Sequence, residues 1–130
     1  MNEALTEHLA IAIGGYALAA GVGWWRAPAR FSRMFDGLRD SSAAAFMTGL
    51  VCYFLGAFLL VLHHRLDDWL AAVVTLFAAG AMIEGLGFLI GSGTFVALAQ
   101  RIGLAGSWRI WASVYVVFGI AMIAAGLARL

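Results

Sequence analysis

A single carboxylate lies deep inside an apolar stretch of the chain. Residues 69–100 carry one charge, Glu84, in a run that also contains Gly80, Gly85 and Gly87. A carboxylate near the middle of a bilayer costs about 3 kcal/mol or more unless it is neutralised, paired or reached by water. Glu84 is therefore a candidate proton or cation relay, or a substrate counter-ion. The alternatives are a buried carboxyl that fixes helix packing through hydrogen bonds and a contact for the helix of a partner protein.

The depth of Glu84 selects its candidate partners. Glu84 follows Trp69 by 15 residues, or about 22 Å along a helix. Gly80, Ala81 and Gly87 share its helix face, and small residues let another backbone approach closely, so we expect Glu84 to face a neighbouring helix and not lipid. At the same depth lie Thr48, Cys52 and Tyr53 of one apolar stretch and Ser113 and Tyr115 of another, and the hydroxyl-bearing four complete the predicted intramembrane polar site with Glu84.

Three histidines form a second group that could carry chemistry. His8, His63 and His64 lie near four acidic residues, and imidazole with carboxylate would suit zinc or copper. A haem held by two histidines could use His8 and His63, which lie at the ends of two apolar stretches. The spacing matches no defined ligand motif, and a mixed loop of this kind is usually a solvated turn. No cofactor is therefore predicted, and a metal or haem at these histidines stays a minor hypothesis.

The composition indicates that lipid is the solvent for much of this chain. Of its 130 residues, 64% are hydrophobic and 12% are charged, whereas a soluble domain has about 45–50% and about 25%. The net charge of +1 and the scattered arginines give no basic stripe, which argues against a nucleic-acid partner. The single cysteine, Cys52, excludes an intrachain disulfide and a cysteine-based metal site.

Four stretches are long and apolar enough to cross a bilayer as helices, for which about 20 residues are needed. Alternation between polar and apolar positions dominates none of them, so helices are favoured over barrel strands. The chain is therefore predicted to be an all-α integral membrane protein with one transmembrane domain, residues 1–130. The four spans are residues 5–25, 41–62, 69–91 and 107–128.

The segments after the first and third spans have the apolar spacing of short amphipathic helices that lie in the headgroup plane. Pro28 suits the first turn of such a helix. Ser41 or Ser42 is expected to cap the second span, Asp67 or Asp68 the third and Ser107 the fourth. The apolar positions are Phe31, Met34, Phe35 and Leu38 in the first segment and Phe95, Leu98 and Ile102 in the second.

The two halves of the chain match weakly at an offset of 64 residues, with Gly21 on Gly85 and a one-residue slip later, where Gly56 meets Gly119. Two spans separate the halves, which gives both the same orientation in a membrane. We therefore predict two parallel-repeat helical hairpins, residues 5–64 and 69–130, each with a short cytoplasmic interfacial helix.

Arginine placement predicts the topology. Positive residues stay on the cytoplasmic side, so both termini and the loop 63–68 are expected to be extracytoplasmic. The absence of lysine and the abundance of alanine and glycine suggest a bacterial genome, hence a bacterial inner (plasma) membrane. The two connections within the repeats carry Arg26, Arg30, Arg33, Arg39, Arg101 and Arg109, and the opposite side has Arg65 and Arg129.

The middle third of the chain resembles a loose pattern in small uncharacterised four-helix bacterial inner-membrane proteins. Those proteins have a glycine-rich span that ends in leucine, valine and histidine, followed by a span led by tryptophan. The resemblance implies no known activity. It is carried by Gly49-Leu50, Gly56, Val61-Leu62-His63, Asp68-Trp69 and the third span with Gly85.

These patterns lead to a non-enzymatic membrane protein, because the chain is small and has no catalytic constellation. The leading hypothesis is an accessory or assembly subunit that packs against other membrane subunits, or against copies of itself, in the lipid bilayer. The alternative is a homo-oligomeric small transporter or channel that uses Glu84 as a proton, cation or substrate site. A weaker third hypothesis is a redox subunit that binds metal or haem at His8, His63 and His64.

Overall fold

The computed structural model describes residues 3–99, 101 and 108–130, and over these residues the chain is helical without a strand. Four of the five helices in this described part of the chain are long and apolar enough to cross a membrane. The prediction of an all-α chain with four such helices is confirmed. The helices are α1 (Glu3–Arg26), α2 (Pro28–Asp40), α3 (Ser42–Leu62), α4 (Trp69–Ala99) and α5 (Trp108–Arg129).

Helix starts follow from the local chemistry of the chain. Pro28 occupies the first turn of α2, where its missing N–H has no helical partner to lose. The Ser41 hydroxyl caps α3 by accepting from the Ala44 N–H at 3.2 Å. The Asp68 carboxylate accepts from the Ala71 N–H at 3.0 Å at the start of α4. Ser41 and Asp68 are each one of the two candidate caps predicted for these helices from the sequence. The predicted Ser107 cap lies outside the described residues.

The amphipathic helix α2 lies across the ends of α3 and α4. Phe35 and Leu38 of α2 are partly buried against the buried Ala45 of α3 and Phe88 of α4. Met34 keeps 49% of its surface exposed. The Phe31 ring stacks on the buried Trp24 ring of α1, with centroids 5.2 Å apart. The predicted helix after the first span is therefore present, and three of its four apolar positions anchor it on the bundle.

Helix α4 continues past its apolar span and bends at Gly91, whose φ of −152° and ψ of 65° are not helical. The backbone then stays helical to Ala99, over part of the second segment predicted as an interfacial helix. Leu98 is exposed there. Ile102 and the side chain of Phe95 lie outside the described part of the chain, so that prediction is met only as far as Ala99.

The closest helix pairs are α1 with α5 and α3 with α4. Each pair has a glycine at which the backbones nearly touch. A Cβ added at Gly119 would lie 2.5 Å from the Leu18 nitrogen, and one at Gly56 would lie 2.5 Å from the Met82 nitrogen. No side chain tolerates such a distance to a backbone atom, so both helix pairs depend on glycine.

A second glycine contact in each pair has the same form. A Cβ added at Gly21 of α1 would lie 2.9 Å from the Ala112 carbonyl oxygen of α5. One added at Gly85 of α4 would lie 2.7 Å from the Gly49 carbonyl oxygen of α3. Small residues at regular spacing thus bring the backbones together, as close packing of membrane helices requires.

The two pairs meet in an apolar core near one end of the bundle, which we call the His63 end. The buried side chains of this core are Ala10 and Ile13 of α1, Leu70 and Val74 of α4, and Met122 of α5. The opposite end, which carries α2, is called the α2 end. Because Leu70 and Val74 are fully buried, the His63 end holds the two pairs together.

Candidate functional site

Glu84 is held by α4 against α3, one helical step from the Gly85–Gly49 contact. The Cys52 thiol of α3 donates a hydrogen bond to Glu84 Oε1, with an Sγ–Oε1 distance of 3.7 Å. A thiol is a weak donor. The Glu84 residue stays exposed on the surface of the single chain. Among the described residues, the carboxyl therefore has one weak hydrogen bond, and it can be approached from outside.

Two tyrosines of the other helix pair share the surroundings of Glu84. The Tyr16 phenol of α1 and the Tyr115 phenol of α5 both interact electrostatically with Glu84. The Tyr16 ring meets the Phe77 ring edge-on, with centroids 6.5 Å apart. The two tyrosines are 61% and 39% exposed. We call the surface formed by Glu84, Cys52, Tyr16 and Tyr115 the Glu84 face.

The structure brings together part of the predicted polar site. Of its tyrosines, Tyr115 interacts electrostatically with Glu84. Within the described residues, no hydrogen bond joins Glu84 to Thr48, Tyr53 or Ser113. The Tyr53 ring contacts Phe54 instead, at 5.3 Å between centroids, and Ser113 lines an apolar groove on α5. Equal depth in a membrane therefore did not imply the same helix face.

Sequence reasoning placed Cys52 at the level of Glu84 but gave it no hydrogen bond, and it left Tyr16 out. The same depth count would have found Tyr16, which lies nine positions before Trp25, much as Tyr115 lies seven positions after Trp108. From Leu9 to Trp25 the first span carries no charge, so its composition does not draw attention to Tyr16. A phenol near a carboxyl is nevertheless a donor and acceptor that an apolar pattern hides.

The Glu84 face can exchange protons and accept hydrogen bonds. It offers one carboxyl, one thiol and two phenols to whatever covers it. These groups suit a cation, a protonated donor group or polar side chains of a second helix.

A closed ring of hydrogen bonds occupies the His63 end. Thr6 Oγ1 lies 2.8 Å from His63 Nε2, and His63 Nδ1 lies 3.0 Å from Thr75 Oγ1. The Thr75 hydroxyl donates to the Arg65 carbonyl oxygen at 2.7 Å. Arg65 Nη1 donates to Thr6 Oγ1 at 3.3 Å. The ring ties the start of α1, the loop after α3 and the start of α4 into one polar unit.

The ring fixes the proton of His63. The Thr75 hydrogen is used on Arg65, so Thr75 Oγ1 accepts from His63 Nδ1–H. His63 Nε2 then carries no proton and accepts from the Thr6 hydroxyl. Burial of the 3% exposed His63 lowers its pKa, and the Arg65 charge acts in the same direction. The imidazole is therefore a neutral structural link.

Ion pairs surround the ring. Arg65 holds Asp67 through two hydrogen bonds of 3.0 and 2.9 Å. Arg129 at the end of α5 lies 3.2 Å from Asp68 and 3.8 Å from Glu7. The Ala71 N–H and the Arg129 guanidinium lower the pKa of Asp68 to about 2. These pairs fasten the end of α5 to the starts of α1 and α4.

The three histidines do not converge as ligands. Both ring nitrogens of His63 are engaged with threonines. His8 Nδ1 donates to the Ala4 carbonyl at 2.7 Å, and His64 Nδ1 donates to the Leu60 carbonyl at 2.9 Å. Among the described residues, no group of three or more His, Cys, Asp or Glu side chains is placed to hold a metal ion. The metal or haem hypothesis thus gains no support from the geometry.

Comparison of the chain with protein-family models, with curated proteins and with solved structures finds no match.

Proposed function

We propose that this chain is a non-enzymatic integral membrane protein that serves as an accessory or assembly subunit of a larger membrane complex. A helix of a partner subunit covers the Glu84 face. The observation that carries the proposal is Glu84 itself, a carboxyl within an apolar helix that is exposed on the single chain and has a thiol as its hydrogen-bond donor.

The energetic argument compares lipid with protein as the cover of this face. Hydrocarbon offers no donor to Glu84, and an uncompensated carboxylate in the span costs about 3 kcal/mol or more. A partner helix that brings a hydroxyl, amide or basic group would offset that cost and would also engage the exposed Tyr16 phenol. The apolar surface around the face would remain in contact with lipid.

Purification of the tagged full chain in a mild detergent, followed by native mass spectrometry, tests the proposal. We expect a discrete complex with a different integral membrane protein at fixed stoichiometry. Glu84→Ala should release that partner, whereas Ile90→Ala, at an 84% exposed position on the same helix, should retain it. A lone monomer for the wild-type chain would contradict the proposal.

The membrane and orientation belong to the same proposal. The protein lies in a bacterial inner membrane with both termini extracytoplasmic, so that the His63 end faces outward and the α2 end faces the cytoplasm. The support is the charge distribution, since Arg26, Arg30, Arg33 and Arg39 cluster at the α2 end. The amphipathic α2 then lies at the cytoplasmic headgroup level.

An internal duplication is the third part of the proposal. Adding 64 to a residue of α1 and subtracting 63 from a residue of α5 converts the Gly21–Ala112 contact into the Gly85–Gly49 contact. The same rule converts Leu18–Gly119 into Met82–Gly56. Residues 5–64 and 69–130 are thus two parallel repeats about an axis along the membrane normal. Each close helix pair takes one span from each repeat.

The second candidate function is a homo-oligomeric transporter or channel in which Glu84 of each copy faces a shared path. The observation that favours it is the polar chemistry of the Glu84 face, where Cys52 donates a hydrogen bond to the carboxyl and Tyr16 and Tyr115 interact with it electrostatically. Proton or cation flux into proteoliposomes should then collapse in Glu84→Gln. Unchanged flux in that variant would remove Glu84 from any transport mechanism.

A further inference from the structure

An open groove of about 650 Å³ runs along the outer face of α1 towards the start of α2. Its floor is made of small and aliphatic residues, among them Gly15, Ala19 and Val22. A Cβ added at Gly15 would meet no other atom within 4 Å, so no described residue covers this part of the floor. The groove lies on the side of α1 away from α5.

Two arginines close the groove at the α2 end. Arg26 lies in the last turn of α1 and Arg30 in the first turn of α2. Arg30 leans over the groove, since its Nη2 would be 3.2 Å from a Cβ added at Gly23. Both side chains are exposed. The sequence thus places two cations where the groove reaches the expected headgroup level.

These two cations have no anionic partner in the described structure. Arg39, Arg65 and Arg129 all pair with carboxylates, whereas neither Arg26 nor Arg30 forms an ion pair with a described carboxylate. Residues 100 and 102–107, which lie outside the described part of the chain, contain no aspartate or glutamate. The charge at the mouth of the groove is therefore left for an external anion.

We propose that the groove binds one anionic phospholipid. Arg26 and Arg30 hold its phosphate, because guanidinium donors match phosphate oxygens in charge and geometry. An acyl chain lies along the floor from Gly23 to Gly15. Basic pockets beside membrane helices on the cytoplasmic side recognise lipids by this combination of charge and apolar floor. This inference needs the membrane and the orientation proposed above but no partner subunit.

Arg33 provides a matched control within the same helix. It is exposed on α2, carries the same charge as Arg30, and does not line the groove. If the basic helix α2 were attracted to an anionic membrane only by its overall charge, Arg30 and Arg33 would contribute equally to lipid binding. A built lipid site depends on Arg26 and Arg30 and also on the shape of the floor.

Native mass spectrometry of the full chain in detergent, supplied with phosphatidylglycerol or phosphatidylcholine of equal acyl length, measures the site. We expect one retained phosphatidylglycerol and a preference over phosphatidylcholine that falls about fivefold for each of Arg26→Gln and Arg30→Gln. Arg33→Gln should leave the preference within about twofold of the wild type. Equal losses in Arg30→Gln and Arg33→Gln would overturn the proposal.

A second variant tests the floor without changing the charge. Ala19→Phe, at an exposed position of α1, fills the groove and should also abolish retention of the lipid. Retention by Ala19→Phe, or displacement of the lipid by inorganic phosphate alone, would overturn the proposal, since either result removes the acyl chain from recognition. Loss of lipid with retention of a partner subunit separates this inference from the proposed function.

Discussion

His63 lies at the end of one apolar helix and Glu84 lies within another, and their hydrogen-bonding groups are satisfied to opposite degrees. His63 uses both ring nitrogens in a closed ring with Thr6, Thr75 and Arg65. Glu84 accepts from a thiol and remains exposed. Buried polar groups are normally fully bonded, so His63 has the signature of a structural group. Glu84 has the signature of a group whose partner lies outside the chain.

The ring of hydrogen bonds around His63 predicts that the protein loses stability in acid. The folded chain holds the imidazole neutral at a lowered pKa, so below the ordinary value of about 6.5 the unfolded chain binds a proton that the folded chain resists. Stability should fall by up to about 1.4 kcal/mol per pH unit from that value down to the folded pKa. Thermal unfolding in detergent between about pH 7.5 and about pH 5.5 measures it.

Two histidine variants assign that acid sensitivity. His63→Gln should flatten the dependence of the melting temperature on pH, although the chain will be less stable at neutral pH because the ring is broken. His64→Gln should retain the wild-type dependence, since His64 is exposed and bonds only the Leu60 carbonyl among described groups. Asp68, with a pKa of about 2, stays ionised throughout this range. A flat profile in His64→Gln would refute the assignment.

At the scale of helices, the glycines decide which spans pair. Gly56 and Gly119 occupy equivalent positions in the two close pairs, where a side chain would strike the backbone of the neighbouring helix. Gly80 lies on α4 as well, but a Cβ there would meet nothing within 4 Å. The loss of stability on substituting a glycine therefore depends on whether that glycine contacts the neighbouring helix, and not on how many glycines its own helix contains.

Gly56→Leu should therefore destabilise the protein strongly, beyond the about 1–3 kcal/mol that is typical of overpacking, because backbone atoms cannot move aside. Gly119→Leu should cost a similar amount if the two pairs are equivalent. Gly80→Leu is the matched control and should unfold within about 0.5 kcal/mol of the wild type. Chemical denaturation in detergent compares the three, and equal losses in Gly56→Leu and Gly80→Leu would refute the packing account.

The helices and their caps could be predicted because their causes are local. Apolar length gives the spans, Pro28 gives the start of α2, and the Ser41 and Asp68 side chains cap the next helices. The pairing of spans could not be predicted in the same way, because it depends on glycine register between distant segments. The Thr6–His63 bond joins residues 57 positions apart, and no local pattern indicates it.

At the scale of the whole molecule, the proposed topology predicts which surface reagents reach. In a chain with Cys52→Ala, a cysteine introduced by Leu66→Cys, at a 66% exposed loop position, should react with an impermeant thiol reagent in intact cells. Ser32→Cys, exposed on α2, should react only after permeabilisation. The reverse pattern would invert the orientation and move the arginine-rich end outside, against the charge rule.

The central claim is that protein, and not lipid alone, covers the Glu84 face. Site-specific photo-crosslinking in living cells tests it most directly, with the photoreactive residue placed at Tyr16 on this face or at Phe58, which is 62% exposed on α3. The account predicts a discrete crosslink from Tyr16 to another integral membrane protein, which Glu84→Ala abolishes, and lipid adducts alone from Phe58. Lipid adducts alone from both positions would contradict it.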